Sequence, residues 1–278
     1  MKFIVGLFMS CVALFASANE IVIVVGAPAG GSIDAYARSM AKHSSIPSRV
    51  ENRAGAYNSL SFAYAKENPG SIVIADPGWL SQKSPMKDEA NNIELVDMVL
   101  GQDLFIISAP NKDRKLDDLL SGKTNIGVGM LGSPNHYIIH QMQKRNSGME
   151  VIPFKGDNIG VLALLRSDVD AYVVTGQNAN KWMETHNLKP VYKVPYDQAF
   201  NSNGINFNMP YTWLGLWMNK SATPEQRAAA KEYIRQIKKN QNWVNDMKAI
   251  HMTPINVTES VKNKKLEDLK QFFKTTDF

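Results

Sequence analysis

The sequence is almost without cysteine. The one present, Cys11, sits inside an apolar leader, so the chain after it has no thiol for a disulfide, a nucleophile or a metal site. Charge of one sign is never concentrated. The formal net charge of +5 comes from 31 Lys and Arg against 26 Asp and Glu, with no block of five or six like charges, and this excludes nucleic acid as an expected partner. Outside the first 18 residues no apolar run approaches the ~20 residues needed to span a bilayer. No G-x-S-x-G elbow, low-complexity segment or long flexible linker occurs, so domain boundaries are expected where packed units meet.

The leader itself is well marked. Lys2 opens it, Phe3 to Phe15 form an apolar stretch, and Ala16-Ser17-Ala18 supplies the small-x-small pattern of a cleavage site before Asn19. Residues 1–18 are read as a Sec signal peptide and the remainder as a periplasmic protein. A lipid anchor at Cys11 competes with this, but Phe8-Met9-Ser10 is a poor lead-in for one. The 278 residues, 44% apolar and 21% charged, suffice for one large domain or two of ordinary size.

The stretch from Ile21 to Arg38 organises the rest of the chain. Ile21-Val22-Ile23-Val24-Val25 is a β-branched run, the pattern of a strand buried on both faces. Ile33, Tyr36, Ala37 and Met40 recur at helical spacing. Between them lies Gly26-Ala27-Pro28-Ala29-Gly30-Gly31-Ser32, where adjacent glycines let a ligand approach the backbone and Ser32 is placed to cap the helix. A helix start offers unpaired N–H groups and partial positive charge, which suits an anion; a tight turn without ligand is the plainer alternative.

Strand-loop-helix units then recur. Ser48–Asn52 and Ser71–Ala75 read as strands, giving a βαβαβ order with the intervening helix after Ser59. Strands are expected at 95–100 and 104–108 and a short helix at 116–120. A second α/β unit opens with a strand at 124–128, a helix from Pro134 capped by Ser133, a strand at 151–154, a helix at 159–166 and a strand at 169–174. An aromatic-rich strand at 211–218 precedes helices that begin at the capping box Thr223-Pro224-Glu225-Gln226 and run to about 248, then from about 259 to 273.

Several motifs compete for chemistry. Gly127-Val128-Gly129-Met130-Leu131-Gly132 has the form of a dinucleotide fingerprint, with Glu150 at a plausible distance for a ribose. It is the second such unit in the chain, and an exported protein has no nicotinamide pool, so a glycine-rich loop that receives a small anion fits better, and no cofactor is expected. His136 and His140 are four apart on a helix but lack a third ligand, so no metal is expected. Trp213 and Trp217 alternate on a strand and read as core. No residue is expected to be catalytic.

Together these blocks resemble the receptors of tripartite tricarboxylate transporters, the Bug or TctC-like periplasmic solute-binding proteins. The matching segments are Gly26 to Arg38; Val50-Glu51-Asn52-Arg53-Ala54-Gly55-Ala56, with Ala54 in place of a proline; Gly132-Ser133-Pro134-Asn135-His136; Ile152-Pro153-Phe154-Lys155-Gly156 with Ser167-Asp168-Val169-Asp170; and Trp213-Leu214-Gly215-Leu216. The resemblance implies an α/β architecture, the type II periplasmic-binding-protein fold, with two α/β domains and a ligand cleft between them. By position, domain I comprises 19–103 and 219–278, and domain II comprises 104–218. It implies capture of a small organic carboxylate and its delivery to membrane permease subunits by a monomeric, non-enzymatic protein. An exported sensory binding protein, or a carboxylate-processing enzyme on the same fold, is the alternative. The residues it points to are Pro28, Ala29, Gly30, Gly31, Ser32, Tyr57, Asn58 and Ser59 from the first domain, and Leu131, Gly132, Ser133, Asn135, His136, Lys155, Gly156 and Thr175 from the second. Asp34 and Arg38 are expected to brace the first loop. Tyr57-Asn58 replaces a usual Gly-Gly pair, and the chain is short around 110–124. Val174 stands where some members carry an acid that meets a ligand amine, which points away from amino-acid ligands.

Overall fold

The computed structural model describes residues 20–55, 58–81, 84, 86–129, 131–196, 201–202, 205–206 and 212–276. The leader and its cleavage site, Cys11 and Tyr57 lie outside the described residues. The chain runs through β1 (Ile21–Val25), α1 (Ser32–His43), β2 (Ser48–Asn52), α2 (Ser59–Glu67), β3 (Ile72–Ala75) and β4 (Ile93–Gln102). It continues with β5 (Leu104–Ser108), α3 (Leu116–Leu119), β6 (Thr124–Val128), α4 (Pro134–Gln143), β7 (Met149–Pro153), α5 (Asp157–Leu165), β8 (Ala171–Thr175), α6 (Gly176–His186) and β9 (Lys189–Val194). A small ribbon of β10 (Asn201–Ser202) and β11 (Ile205–Asn206) comes next, then β12 (Trp213–Asn219), α7 (Pro224–Lys239), α8 (Gln241–Ala249), β13 (Met252–Pro254) and α9 (Glu259–Thr275).

Two mixed sheets result, and they share one plan. The first has the order β13-β4-β12-β3-β1-β2 and the second β7-β6-β8-β5-β9. In each, three parallel strands stand in the order second, first, third: β2-β1-β3 and β7-β6-β8. An antiparallel strand stands next to them, β12 in the first sheet and β5 in the second. Strand β5 follows β4 of the first sheet after one residue, and β12 follows the small ribbon that comes after β9 of the second sheet. The expected division assigned Trp213–Met218 to the second unit, but pairing with β3 and β4 puts this strand in the first sheet.

All seven residues of β12 are buried. This explains its continuous apolar character, because an interior strand covered on both faces has no polar alternation. Trp213 and Trp217 stack at 6.0 Å, and Trp79 meets Trp217 edge-on at 5.0 Å. The Trp217 indole N–H donates to the Ala75 carbonyl at 3.1 Å, so its polar end is satisfied. The pair is core, as its alternation suggests, and truncating either to alanine would cost about 3–5 kcal/mol.

One residue, Asp103, separates β4 from β5 at the first crossing. Its carbonyl accepts from the Gly176 amide at 2.9 Å. Its carboxylate accepts from the Tyr196 amide at 2.7 Å and pairs with Lys193 at 2.7 Å. The neighbouring Gly101 has no side chain because the Tyr196 ring fills that place; a Cβ there would lie 2.3 Å from it.

Candidate functional site

In open α/β sheets, ligands bind beyond the carboxyl ends of the parallel strands, where the adjoining loops and helix starts collect. Here those ends carry the starts of α1, α2, α4, α5 and α6. Their capping sets them apart from the other long helices. The cap residues of α1 (Gly31), α2 (Asn58), α5 (Gly156) and α6 (Thr175) make no side-chain cap hydrogen bond. Of these five, only α4 is capped in this way, by Ser133 Oγ accepting from the His136 amide at 3.3 Å. Helices α7, α8 and α9 are all capped, by Thr223, Asn240 and Thr258. The first turns at the strand ends thus keep open donors and partial positive charge, which together favour an anion.

The first loop is held by α1. The Asp34 carboxyl, buried on that helix, accepts from the Gly30 amide at 2.8 Å, Arg38 Nε at 2.9 Å and Asn52 Nδ2 at 2.9 Å. Asn52 Nδ2 also reaches the Ala27 carbonyl at 3.1 Å, and Arg38 reaches Asn52 Oδ1 at 3.1 Å. Burial pushes the Asp34 pKa up, but donation from Arg38, Gly30 and Asn52 outweighs it and leaves the carboxyl below its ordinary range. Asp34 and Arg38 brace the loop, as expected. Gly30 is left-handed at φ +81°, the conformation for which glycine is suited. Pro28, Ala29 and Gly30 are exposed and Gly31 half-buried. Asn58 is buried over Gly26, whose absent Cβ would lie 1.9 Å from the Asn58 side-chain oxygen. This brings the start of α2, with Ser59, against the first loop.

Ser32 does not cap α1. It is the first helical residue, Gly31 takes the cap position, and the Ser32 hydroxyl donates to Asn178 Oδ1 on α6 at 3.3 Å. The two sheets' loops therefore meet. The other end of the same amide, Asn178 Nδ2, donates to Asp157 Oδ2 at 3.0 Å, and Tyr172 OH donates to Asp157 Oδ1 at 3.0 Å. That oxygen lies where a Cβ on Gly129 would come within 2.4 Å. A continuous path thus leads from the β1–α1 loop through α6 and α5 to the β6–α4 loop.

No protein-family model and no curated protein matches the chain in sequence. Solved structures do match. The periplasmic binding protein BugD superposes with a TM-score of 0.76 at 17% identity, covering 92% of this chain and 95% of that one. A TctC solute-binding protein from Polaromonas gives 0.61 at 18%, covering 92% and 98%. MatC from Rhodopseudomonas palustris, with bound malate, gives 0.71 at 16%, covering 91% and 96%.

The chain has the fold of the Bug and TctC solute-binding proteins.

On this Bug-type frame the expected residues are distributed unevenly. Gly132 is left-handed at φ +78°, and its amide donates to His136 Nδ1 at 3.0 Å, which leaves the proton of a neutral His136 on Nε2. Leu131 is exposed, Ser133 caps α4, and Lys155 and Gly156 are exposed in the β7–α5 loop, with Gly156 at φ +104°. Asn135 is buried and its amide donates to the Val173 carbonyl at 3.1 Å, which ties α4 to β8. The Thr175 hydroxyl, at the start of α6, is buried without a hydrogen-bond partner. A buried hydroxyl in that state is costly and marks a place for a water or a ligand atom.

The dinucleotide form of residues 127–132 has another cause. A Cβ on Gly127 would lie 2.5 Å from the Tyr172 ring, and one on Gly129 would meet Asp157. These two glycines make room for side chains of the same unit. The polar residues not anticipated are Asn52, Asp157, Tyr172 and Asn178. Burial raises the Asp157 pKa more than the Tyr172 and Asn178 hydrogen bonds lower it, and burial together with the adjacent Asp157 charge raises that of Tyr172. Among the described residues no group of three or more His, Cys, Asp or Glu stands together as a metal cluster, and no helix is long and apolar enough to cross a membrane.

Proposed function

We propose that this chain is an exported solute-binding protein of the Bug/TctC type. It captures a small organic carboxylate between its two α/β domains, without converting it, and delivers it to membrane permease subunits of a tripartite transporter. The observation that carries this reading is the capping contrast: four of the five helix starts at the strand ends lack a side-chain cap, while α7, α8 and α9 are all capped. Contact of Ser32 with Asn178 supports a shared crevice. The malate bound by the structurally similar MatC supports the ligand class. The domains follow the sheets: residues 20–102 and 213–276 in one, 104–194 in the other. The apolar leader with its Ala-Ser-Ala ending supports export to the periplasm.

Each helix start stabilises a nearby anion by about 0.3–1 kcal/mol, and up to ~2 when partly buried. Micromolar affinity needs about 8 kcal/mol. Direct and water-mediated hydrogen bonds and domain closure supply the difference. A thermal-shift screen of mono-, di- and tricarboxylates against the purified protein tests this. The expected result is concentration-dependent stabilisation by at least one acid, with that acid recovered unchanged. Stabilisation by none, or consumption of the acid, would overturn it.

A further inference from the structure

We propose that Asp157 sets the specificity of this crevice by receiving an ammonium group, so that the ligand is an amino-bearing carboxylate; this rests on the carboxylate-binding reading above. Asp157 is an acid placed among helix starts that otherwise favour anions. It is the first residue of α5, yet its carboxyl turns across the strand ends, taking Tyr172 OH on Oδ1 and Asn178 Nδ2 on Oδ2, both at 3.0 Å. A carboxylate offers about four acceptor positions. These donors use two, both are neutral, and among the described residues no Lys, Arg or His forms an ion pair with it. Its recessed charge therefore lacks a counterion.

The surroundings are shaped for this acid. Three positions without side chains clear the space for the Tyr172–Asp157 pair: a Cβ on Gly129 would meet Asp157 Oδ1 at 2.4 Å, and one on Gly127 or Gly160 would meet the Tyr172 ring at 2.5 or 2.0 Å. A first-turn acid serving only its own helix dipole needs no such slot. The place is also within reach of both domains, because the Asn178 amide that donates to Asp157 accepts from Ser32. A zwitterion matches this arrangement: its carboxylate meets the open amides of the helix starts, and its ammonium supplies the missing countercharge. Val174, whose lack of charge pointed away from amino-acid ligands, is fully buried in the apolar cluster of Phe105, Tyr172 and Ala179, so its identity does not decide whether a ligand ammonium is met at Asp157.

Matched pairs of ligands differing by one amino group decide it: succinate with aspartate, glutarate with glutamate, propionate with alanine, each titrated calorimetrically into the purified protein. In at least one pair the amino member should bind at least tenfold more tightly. In Asp157→Asn that preference should fall by at least tenfold, while far-UV circular dichroism stays that of the parent. The wild-type preference is read without any variant, so a misfolded Asp157→Asn leaves the main result standing. Des-amino members that bind as well as their partners in every pair that binds, or a preference that survives Asp157→Asn, overturn the role of Asp157 and leave the carboxylate reading intact. Binding by no member of any pair, with no stabilisation in the wider acid screen, overturns both.

Discussion

Asp34 and Arg38 stand one turn apart on α1, and the buried carboxylate of the first accepts from the guanidinium of the second at 2.9 Å. The same carboxylate holds the Gly30 amide and Asn52, so one side chain fixes the loop after β1. Asp34→Asn places an amide of the wrong polarity against these donors. It is expected to cost about 2–3 kcal/mol, since hydrogen bonds to charged groups are worth about 1.5–3 and a stranded donor adds to the loss. Thermal unfolding should shift down by roughly 5–10 °C.

Acid should weaken the protein through the same residue. The folded pKa of Asp34 lies below its ordinary 3.8, so its contribution is present above that value and is lost as pH falls through the folded one. The stability difference between wild type and Asp34→Asn, measured by denaturant titration, is expected to be constant near neutrality and to shrink below about pH 4. A difference that stays constant into strong acid would rule out Asp34 as the source of the acid sensitivity.

Gly160 and Gly132 should respond differently to alanine. At Gly160 the new Cβ would lie 2.0 Å from the ring of fully buried Tyr172, so the cost is overpacking, about 2–3 kcal/mol. At Gly132 nothing lies within 4 Å and only the left-handed backbone, φ +78°, is penalised, by about 1 kcal/mol. Shortening Tyr172 to Val should reduce the Gly160→Ala cost and leave that of Gly132→Ala unchanged, a coupling that a double-mutant cycle measures.

Asn178→Ala removes the hydrogen bond that Ser32 makes across from the β1–α1 loop, together with a donor to Asp157. If the ligand is held with the domains closed, loss of about 1 kcal/mol from that state should weaken its binding roughly fivefold. Ser32→Ala should weaken binding in the wild type but add little once Asn178 is gone, because its partner has been removed.

The strands were legible where β-branched runs are fenced by turn residues: β2 and β6 have their expected limits, and β1 coincides with the Ile21–Val25 run. The Thr223 capping box was likewise local and is present. Helix α6 was not legible. It opens Gly-Gln-Asn-Ala-Asn, a poor helical sequence that tertiary packing overrides, and Asn178 was missed with it. Strand β9, Lys-Pro-Val-Tyr-Lys-Val, was missed as well, although it carried a usable alternation. Ser32 had the chemistry of a cap, but a partner 146 residues away takes its hydroxyl. Asp157 stood in a recognised loop, yet its partners lie 15 and 21 residues on, and no spacing rule reports such a meeting.

Gly101 lies near the end of β4 in the first sheet and Tyr196 just after β9 in the second, and the ring of one occupies the empty place of the other. The glycine thus works as a socket: a bulky residue at 101 would evict the Tyr196 ring and drag on the backbone that Asp103 grips through the Tyr196 amide, unseating the start of β5 from its neighbour.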